Sequence, residues 1–278
     1  MIYRAKKSLG QHFLKSEIAL RKIIETGEIK SDDVILEIGP GKGVLTSKLL
    51  EKTGKVFAVE KDRELFLFLQ NKFSKEIKSG SLVLLQDDIL NFSSSEMALK
   101  FFLGPRFSGS LPRPDRSKNL KPFRYKIIAN IPYNITGAIL KKFLTEKNQP
   151  ESMILMVQNE VAKRIVASDK KESILSISVK VYGEPKMVMK VPKRYFSPAP
   201  KVDSALIVIK NISRKIFKEN NITEDKFWKI VKAGFAHKRK KLSGNLKKII
   251  PLQNQTFKKF VDKRAEDLSL ADWIMLTK

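Results

Sequence analysis

The chain has 278 residues, 42% of them hydrophobic, enough for one large domain and a small one around real cores. Its 55 Lys and Arg against 29 Asp and Glu give a formal net charge of +26, far more than solubility needs, and this points to a polyanionic partner, with nucleic acid the leading class. Cysteine is absent, which excludes disulfides, thiolate catalysis and cysteine-held metals, and with only His12 and His237 no histidine-rich metal site is expected.

Met1 to Leu20 mixes basic, polar and apolar residues without a continuous apolar run and reads as neither signal peptide nor membrane anchor, so a cytoplasmic location is expected. From Asp33 to Lys210 short β-rich runs alternate with helical stretches, the pattern of an α/β domain with a mostly parallel sheet. Val34–Ile38 reads as the first strand, followed by a glycine-rich turn and a helix over Val44–Lys52. Lys55–Glu60 is the second strand, with a helix from Asp62 to about Lys78. Strands follow at Leu82–Gln86, Lys126–Ala129 and Ser152–Gln158, and Ser173–Tyr182 with Ser204–Lys210 reads as a later pair with an antiparallel edge. Between Asn91 and Arg124, four prolines and two glycines exceed what a tight connection needs; a short helix over Ser95–Phe102 and a basic loop are expected there. Beyond Lys210 the pattern is helical: Thr223–Ala236, Lys241–Ile249, Gln255–Val261 and Ser269–Leu276, with Thr223 and Ser269 as acceptable N-caps. This tail carries 17 basic and 7 acidic side chains, a net of +10, and reads as a basic helical domain over 211–278 behind a catalytic domain over 1–210.

Glu37-Ile38-Gly39-Pro40-Gly41-Lys42-Gly43 lies between the first strand and its helix, where open α/β sheets bind ligands beyond their strand ends. The spacing is not that of a dinucleotide fingerprint, and Pro40 stiffens the turn. Glu60 ends the second strand, where a carboxylate can accept ribose hydroxyls. Asp88 ends the third, where it can accept from an adenine amine, and Asp87 beside it is an open alternative. After the fourth strand, Asn130-Ile131-Pro132-Tyr133 combines an amide oxygen, a backbone carbonyl, a stiff proline and an aromatic ring. Acceptors on Asn130 and Ile131 can take the hydrogens of an exocyclic amine and turn its lone pair toward a methyl group, while Tyr133 stacks on the ring. Adenine in DNA, adenine in RNA and a glutamine amide all remain open at this point.

Taken together, these motifs resemble the class I S-adenosylmethionine-dependent methyltransferases, and within them the KsgA-type small-subunit ribosomal RNA adenine N6,N6-dimethyltransferases. Leu9-Gly10-Gln11-His12-Phe13-Leu14 matches the family's N-terminal motif, Phe196-Ser197-Pro198-Ala199-Pro200-Lys201-Val202-Asp203-Ser204 a downstream one, and Phe235 to Leu242 and Arg264 to Ser269 two in the C-terminal domain. The resemblance implies a Rossmann-like sheet of seven strands and S-adenosylmethionine as donor, leaving as S-adenosylhomocysteine, with no metal. His12, Leu14, Gly39, Gly41, Glu60, Asp88 and Asn130 are implied as cofactor contacts, and Asn130, Ile131, Pro132, Tyr133 and Phe196 as the catalytic set, Phe196 forming the second face of the adenine pocket. Lys201, His237, Lys238, Arg239, Lys240 and Lys241 are implied in RNA binding. The implied substrate is two adjacent adenosines of the 3′-terminal stem-loop of 16S rRNA, as naked rRNA or immature small subunit, acted on by a monomer. An Erm-type enzyme acting on 23S rRNA and a non-catalytic ribosome assembly factor are the rivals. The chain departs from the family in its long 91–124 loop, in Asp87, and in Glu172-Ser173-Ile174-Leu175-Ser176, where Tyr-Gly-x-Leu-Ser is common.

Overall fold

The computed structural model describes residues 5–6, 9–94, 97, 123–251 and 254–278. The chain forms two compact units: Met1–Asn159 with Met187–Lys210, and Glu160–Lys186 with Asn211–Lys278.

In chain order the elements are β1 (Phe13–Leu14), α1 (Glu17–Gly27), β2 (Ile35–Ile38), α2 (Val44–Leu50), β3 (Val56–Glu60), α3 (Arg63–Lys72), α4 (Ser74–Ser79), β4 (Leu82–Gln86), β5 (Lys126–Asn130), α5 (Thr136–Thr145) and β6 (Ser152–Gln158). There follow α6 (Asn159–Val166), α7 (Ile174–Lys180), β7 (Glu184–Val191), β8 (Phe196–Ser197) and β9 (Ser204–Lys210). Seven strands make one sheet in the order β4-β3-β2-β5-β6-β9-β7. Pairing is parallel from β4 through to β6, and β9 runs antiparallel to β6. Every residue of β2 and β3 is buried, as expected of strands covered on both faces by helices. The chain starts at β2, winds outward to β4, and returns to β5 on the other side of β2, pairing Leu36 with Ile127. That reversal opens a crevice at the C-terminal ends of β2 and β5, and both the glycine turn and Asn130 lie there. Separately, β1 pairs antiparallel with β8, Leu14 opposite Phe196.

Several elements differ from the expected ones. The single helix over Asp62–Lys78 is broken at Phe73, whose φ of −109° and ψ of 31° leave the helical region. Ser173–Tyr182 is a helix and not a strand: Ser173 caps it and Ser176 closes a capping box, which outweighs the β-branched residues behind them. Ser176 thus has a local structural task in the segment where the chain departs from the family pattern. The strand β7, hidden by Pro185 and interspersed lysines, takes the sheet position instead. Of the stretch from Asn91 to Arg124, where a helix over Ser95–Phe102 and a basic loop were expected, residues 95–96 and 98–122 lie outside the described residues.

The second unit contains α8 (Lys215–Glu219), unforeseen in the sequence, α9 (Glu224–Gly234), α10 (Leu242–Leu246), α11 (Gln255–Lys258) and α12 (Leu270–Thr277). Thr223 and Ser269 cap α9 and α12. Its core holds Phe227, Leu242, Phe257 and Trp273, with Phe235 stacked on Trp273 at 5.4 Å. The unit boundary differs from a simple division at residue 210, because the segment Glu160–Lys186 is tied to the tail. Lys171 pairs with Asp267 at 2.5 Å, the Glu172 amide donates to the Glu266 carbonyl at 2.8 Å, and the Ser213 amide donates to the Tyr182 carbonyl at 2.8 Å.

Candidate active site

A cleft of about 180 Å³ opens at the strand reversal, lined by the N-terminal motif Leu9–Leu14, the glycine turn, Glu60, the Asp87–Asp88 pair and the stretch Asn130–Ile135. These stretches, far apart in the chain, therefore meet in one place. Gly39 has a φ of +63°, and a Cβ built on it would meet no atom within 4 Å, so its backbone faces open space. Gly43 is required by packing: its Cβ would lie 2.5 Å from the Phe73 ring.

Glu60 is held as an acceptor. The Gly41 amide donates to its Oε2 at 3.0 Å and the Asp62 amide to its Oε1 at 2.9 Å. Burial nonetheless raises its pKa, the backbone donors working against that rise. Asp62 continues the chain of contacts: its carboxylate caps α3 at the Glu64 amide and receives both Lys6 Nζ and Gln11 Nε2 at 3.1 Å. The N-terminal motif is thereby tied to the residue two beyond Glu60. Gln11 belongs to the N-terminal motif read from the sequence, whereas Lys6 was not singled out; the one available signal for it was Asp62, a helix cap just past a strand end. Of the adjacent acids, both line the cleft. Asp88 has each oxygen engaged, by the Leu90 amide at 3.0 Å and by Lys61 at 2.8 Å, and Lys61 holds its pKa below the ordinary value. Asp87 accepts from the Asp88 amide at 2.6 Å.

Glu37 is 1% exposed, and its Oε2 has no hydrogen-bond partner among the described residues. Burial pushes its pKa up to about 8; the Thr46 hydroxyl beside it pulls the other way, the Glu60 charge adds to the rise, and Lys72 opposes it least. The folded chain then holds a proton that the unfolded chain, near 4.5, gives up. Stability accordingly falls as pH rises from about 4.5 to about 8, by up to about 1.4 kcal/mol per pH unit, and levels off above. Glu37→Gln is expected to melt with the wild type at pH 5 and well above it at pH 8.5; equal melting temperatures at pH 8.5 would contradict this.

At the other wall, Asn130 Nδ2 donates to the His12 carbonyl at 2.9 Å. A carbonyl can only accept, so the amide nitrogen is fixed on that side and Oδ1 is left as the acceptor for the cleft. His12 Nδ1–H donates to the Pro198 carbonyl at 2.8 Å, and the imidazole stacks on Tyr133 with centroids 5.7 Å apart and planes 20° from parallel. Burial raises the pKa of Tyr133, so its phenol stays neutral. Phe196, at 2% exposure, belongs to the core with Leu14, Leu20 and Leu206. The ring facing Tyr133 is that of His12. Lys201 and the run His237 to Lys241 are all exposed, Lys241 pairing with Asp262 at 2.8 Å.

The model of the ribosomal RNA adenine dimethylase family matches residues 2–278. The chain belongs to this family. Among its adenine dimethylase relatives, "Ribosomal RNA small subunit methyltransferase A" of Fusobacterium nucleatum is 38% identical over 288 residues, covering 100% of this chain and 98% of the relative. The protein of the same name from Dehalococcoides mccartyi is 36% identical, covering 98% and 87%. Among solved structures, a dimethyladenosine transferase from Plasmodium falciparum has a TM-score of 0.71 and 25% identity, covering 95% of this chain and 96% of that one. The 23S rRNA methyltransferase ErmE gives the same TM-score at 22% identity, covering 95% and 98%, which speaks for the fold alone. An adenine dimethylase is an S-adenosylmethionine-dependent enzyme, and the cleft fits that cofactor. The open space over Gly39 admits a ligand against the backbone, and the orphaned Glu37 oxygen and pinned Glu60 carboxylate suit one that carries an ammonium group and vicinal hydroxyls. No group of three or more metal-ligating side chains occurs among the described residues, and no described helix is long and apolar enough to cross a membrane.

Proposed function

We propose that this dimethylase methylates N6 of two adjacent adenosines in the 3′-terminal stem-loop of small-subunit rRNA, as a step in building the small ribosomal subunit. The near full-length relatives named for the small subunit support this substrate. The observation that carries the chemistry is the Asn130 amide, pinned through Nδ2 to His12 with Oδ1 left over. Asn130 Oδ1 and the Ile131 carbonyl accept the two hydrogens of the target amine and turn its lone pair out of the ring plane, Pro132 fixing the backbone direction at a φ of −60°. Tyr133 carries the base by stacking.

S-adenosylmethionine supplies the electrophilic methyl group, and S-adenosylhomocysteine is the product. Glu60 accepts the ribose hydroxyls, Asp88 or Asp87 reads the adenine amine of the donor, and Gly39, Gly41, His12 and Leu14 line its path. Because amine nitrogen, once methylated, loses its proton readily to water, these residues accelerate the reaction mainly by alignment. A loop adenosine suits the site, since an unstacked base reaches it at lower cost than a paired one.

Lys201 and the run His237 to Lys241 contact phosphates, giving an affinity that falls as salt rises. The protein acts as a cytoplasmic monomer without a metal. A large-subunit specificity is less supported, since its structural representative shares the fold at 22% identity only.

The test is transfer of labelled methyl groups to small subunits that lack the modification, beside free small-subunit rRNA and large subunits. Label in small-subunit adenosines is expected; label confined to large subunits would overturn the proposal.

A further inference from the structure

Tyr133 sits in a three-residue turn, Tyr133–Ile135, between β5 and α5, so the backbone alone leaves its ring free to swing. Two contacts restrain it. His12 lies against one face, as described, and at the far edge the phenol meets the Ser204 hydroxyl at 2.5 Å. Ser204 is 0% exposed and opens β9, where it pairs with Gln158 at the end of β6. A buried hydroxyl on a central strand is a fixed point, with no water to turn to, and breaking its bond leaves it unsatisfied. The registers Asn130 with Met156 and Gln158 with Ser204 set that point relative to the end of β5. The sheet thus fixes both the residue that bears the amide and the hydroxyl that holds the ring.

We propose that Ser204 is a positioning residue for the methyl transfer: its hydroxyl anchors the Tyr133 phenol so that the ring offers the target base one fixed face. Ser204 lies outside the cleft lining and touches neither base nor donor; it acts only through Tyr133. The inference rests on the base-methylating role of Asn130 to Tyr133. Alignment of nitrogen, methyl carbon and sulfur is sensitive to displacements on the order of 1 Å, so a ring free to tilt costs turnover and leaves donor binding intact.

The experiment compares full-length wild type, Ser204→Ala, Tyr133→Phe, the double variant and Ser204→Thr on unmodified small subunits. Donor affinity is measured by calorimetry and folding by thermal melting. Expected is a roughly tenfold loss of kcat in Ser204→Ala and in Tyr133→Phe, no further loss in the double variant, and recovery in Ser204→Thr, with donor Kd unchanged throughout. Wild-type turnover in Ser204→Ala, or losses that multiply in the double variant, would overturn the proposal. So would a donor Kd that moves with every substitution, the mark of mere core packing. If Ser204→Ala fails to fold, Tyr133→Phe breaks the same bond from the other side, and wild-type turnover in that variant overturns the anchor. Failure of the wild type to methylate small subunits would instead refute the function and leave the Ser204 comparison to be made on the true substrate.

Discussion

Asn130→Ala is expected to lower kcat about 100- to 1,000-fold, the scale on which one preorganised polar group aimed at the reacting centre acts. The mutation removes the Oδ1 acceptor that the His12 carbonyl leaves over, and it also releases that carbonyl from its 2.9 Å bond. Rapid-mixing measurement of a single methyl transfer at saturating donor isolates the chemical step, and filter binding of rRNA is expected to be unchanged. Asn130→Asp sharpens the prediction. A carboxylate cannot donate to His12 and would set one oxygen against another, so retaining an acceptor of the same size is not expected to rescue turnover. Full activity in either variant would remove the amine-positioning role.

Glu60→Gln is expected to weaken binding of S-adenosylmethionine about 100-fold, with kcat at saturating donor close to that of wild type. The two carboxylate oxygens each accept a backbone amide, from Gly41 and from Asp62. A glutamine has one acceptor oxygen and one donor nitrogen, so one of these amides would face another donor in a buried setting. The loss of charge-assisted hydrogen bonds to the ribose adds about 1.5–3 kcal/mol. About 2.8 kcal/mol corresponds to the predicted hundredfold change. Titration calorimetry gives the Kd directly. An unchanged Kd would mean that the carboxylate only braces the glycine turn.

Much of this site was legible because each motif sits at a strand end, and parallel strands bring their C-terminal ends to one edge of the sheet. Glu37 to Lys42, Glu60, Asp87 with Asp88, and Asn130 to Tyr133 all line the cleft for that reason. The pinning of Asn130 by the His12 carbonyl was not legible, because a backbone contact across 118 positions leaves no pattern in residue type. The burial of Phe196 was not legible for a related reason: β8 pairs with β1, Phe196 opposite Leu14, a register that no local periodicity encodes. Ser173–Tyr182 misled because Ile174, Ile177, Val179 and Val181 read as a strand, while the deciding signal was the Ser173–Ser176 capping box. The tie between Glu160–Lys186 and the tail rests on long-range contacts such as Lys171 with Asp267, again invisible to composition.

The central claim is that this chain, through Asn130, places the methyl groups on the paired adenosines of small-subunit rRNA. Primer extension on both rRNAs from a strain lacking the gene tests it most directly, since N6,N6-dimethyladenosine blocks the extending enzyme. Stops at the small-subunit adenosines are expected to vanish without the gene, to return with the wild-type copy and to stay absent with Asn130→Ala. Stops that persist in the deletion strain, or that return with Asn130→Ala, would contradict the account.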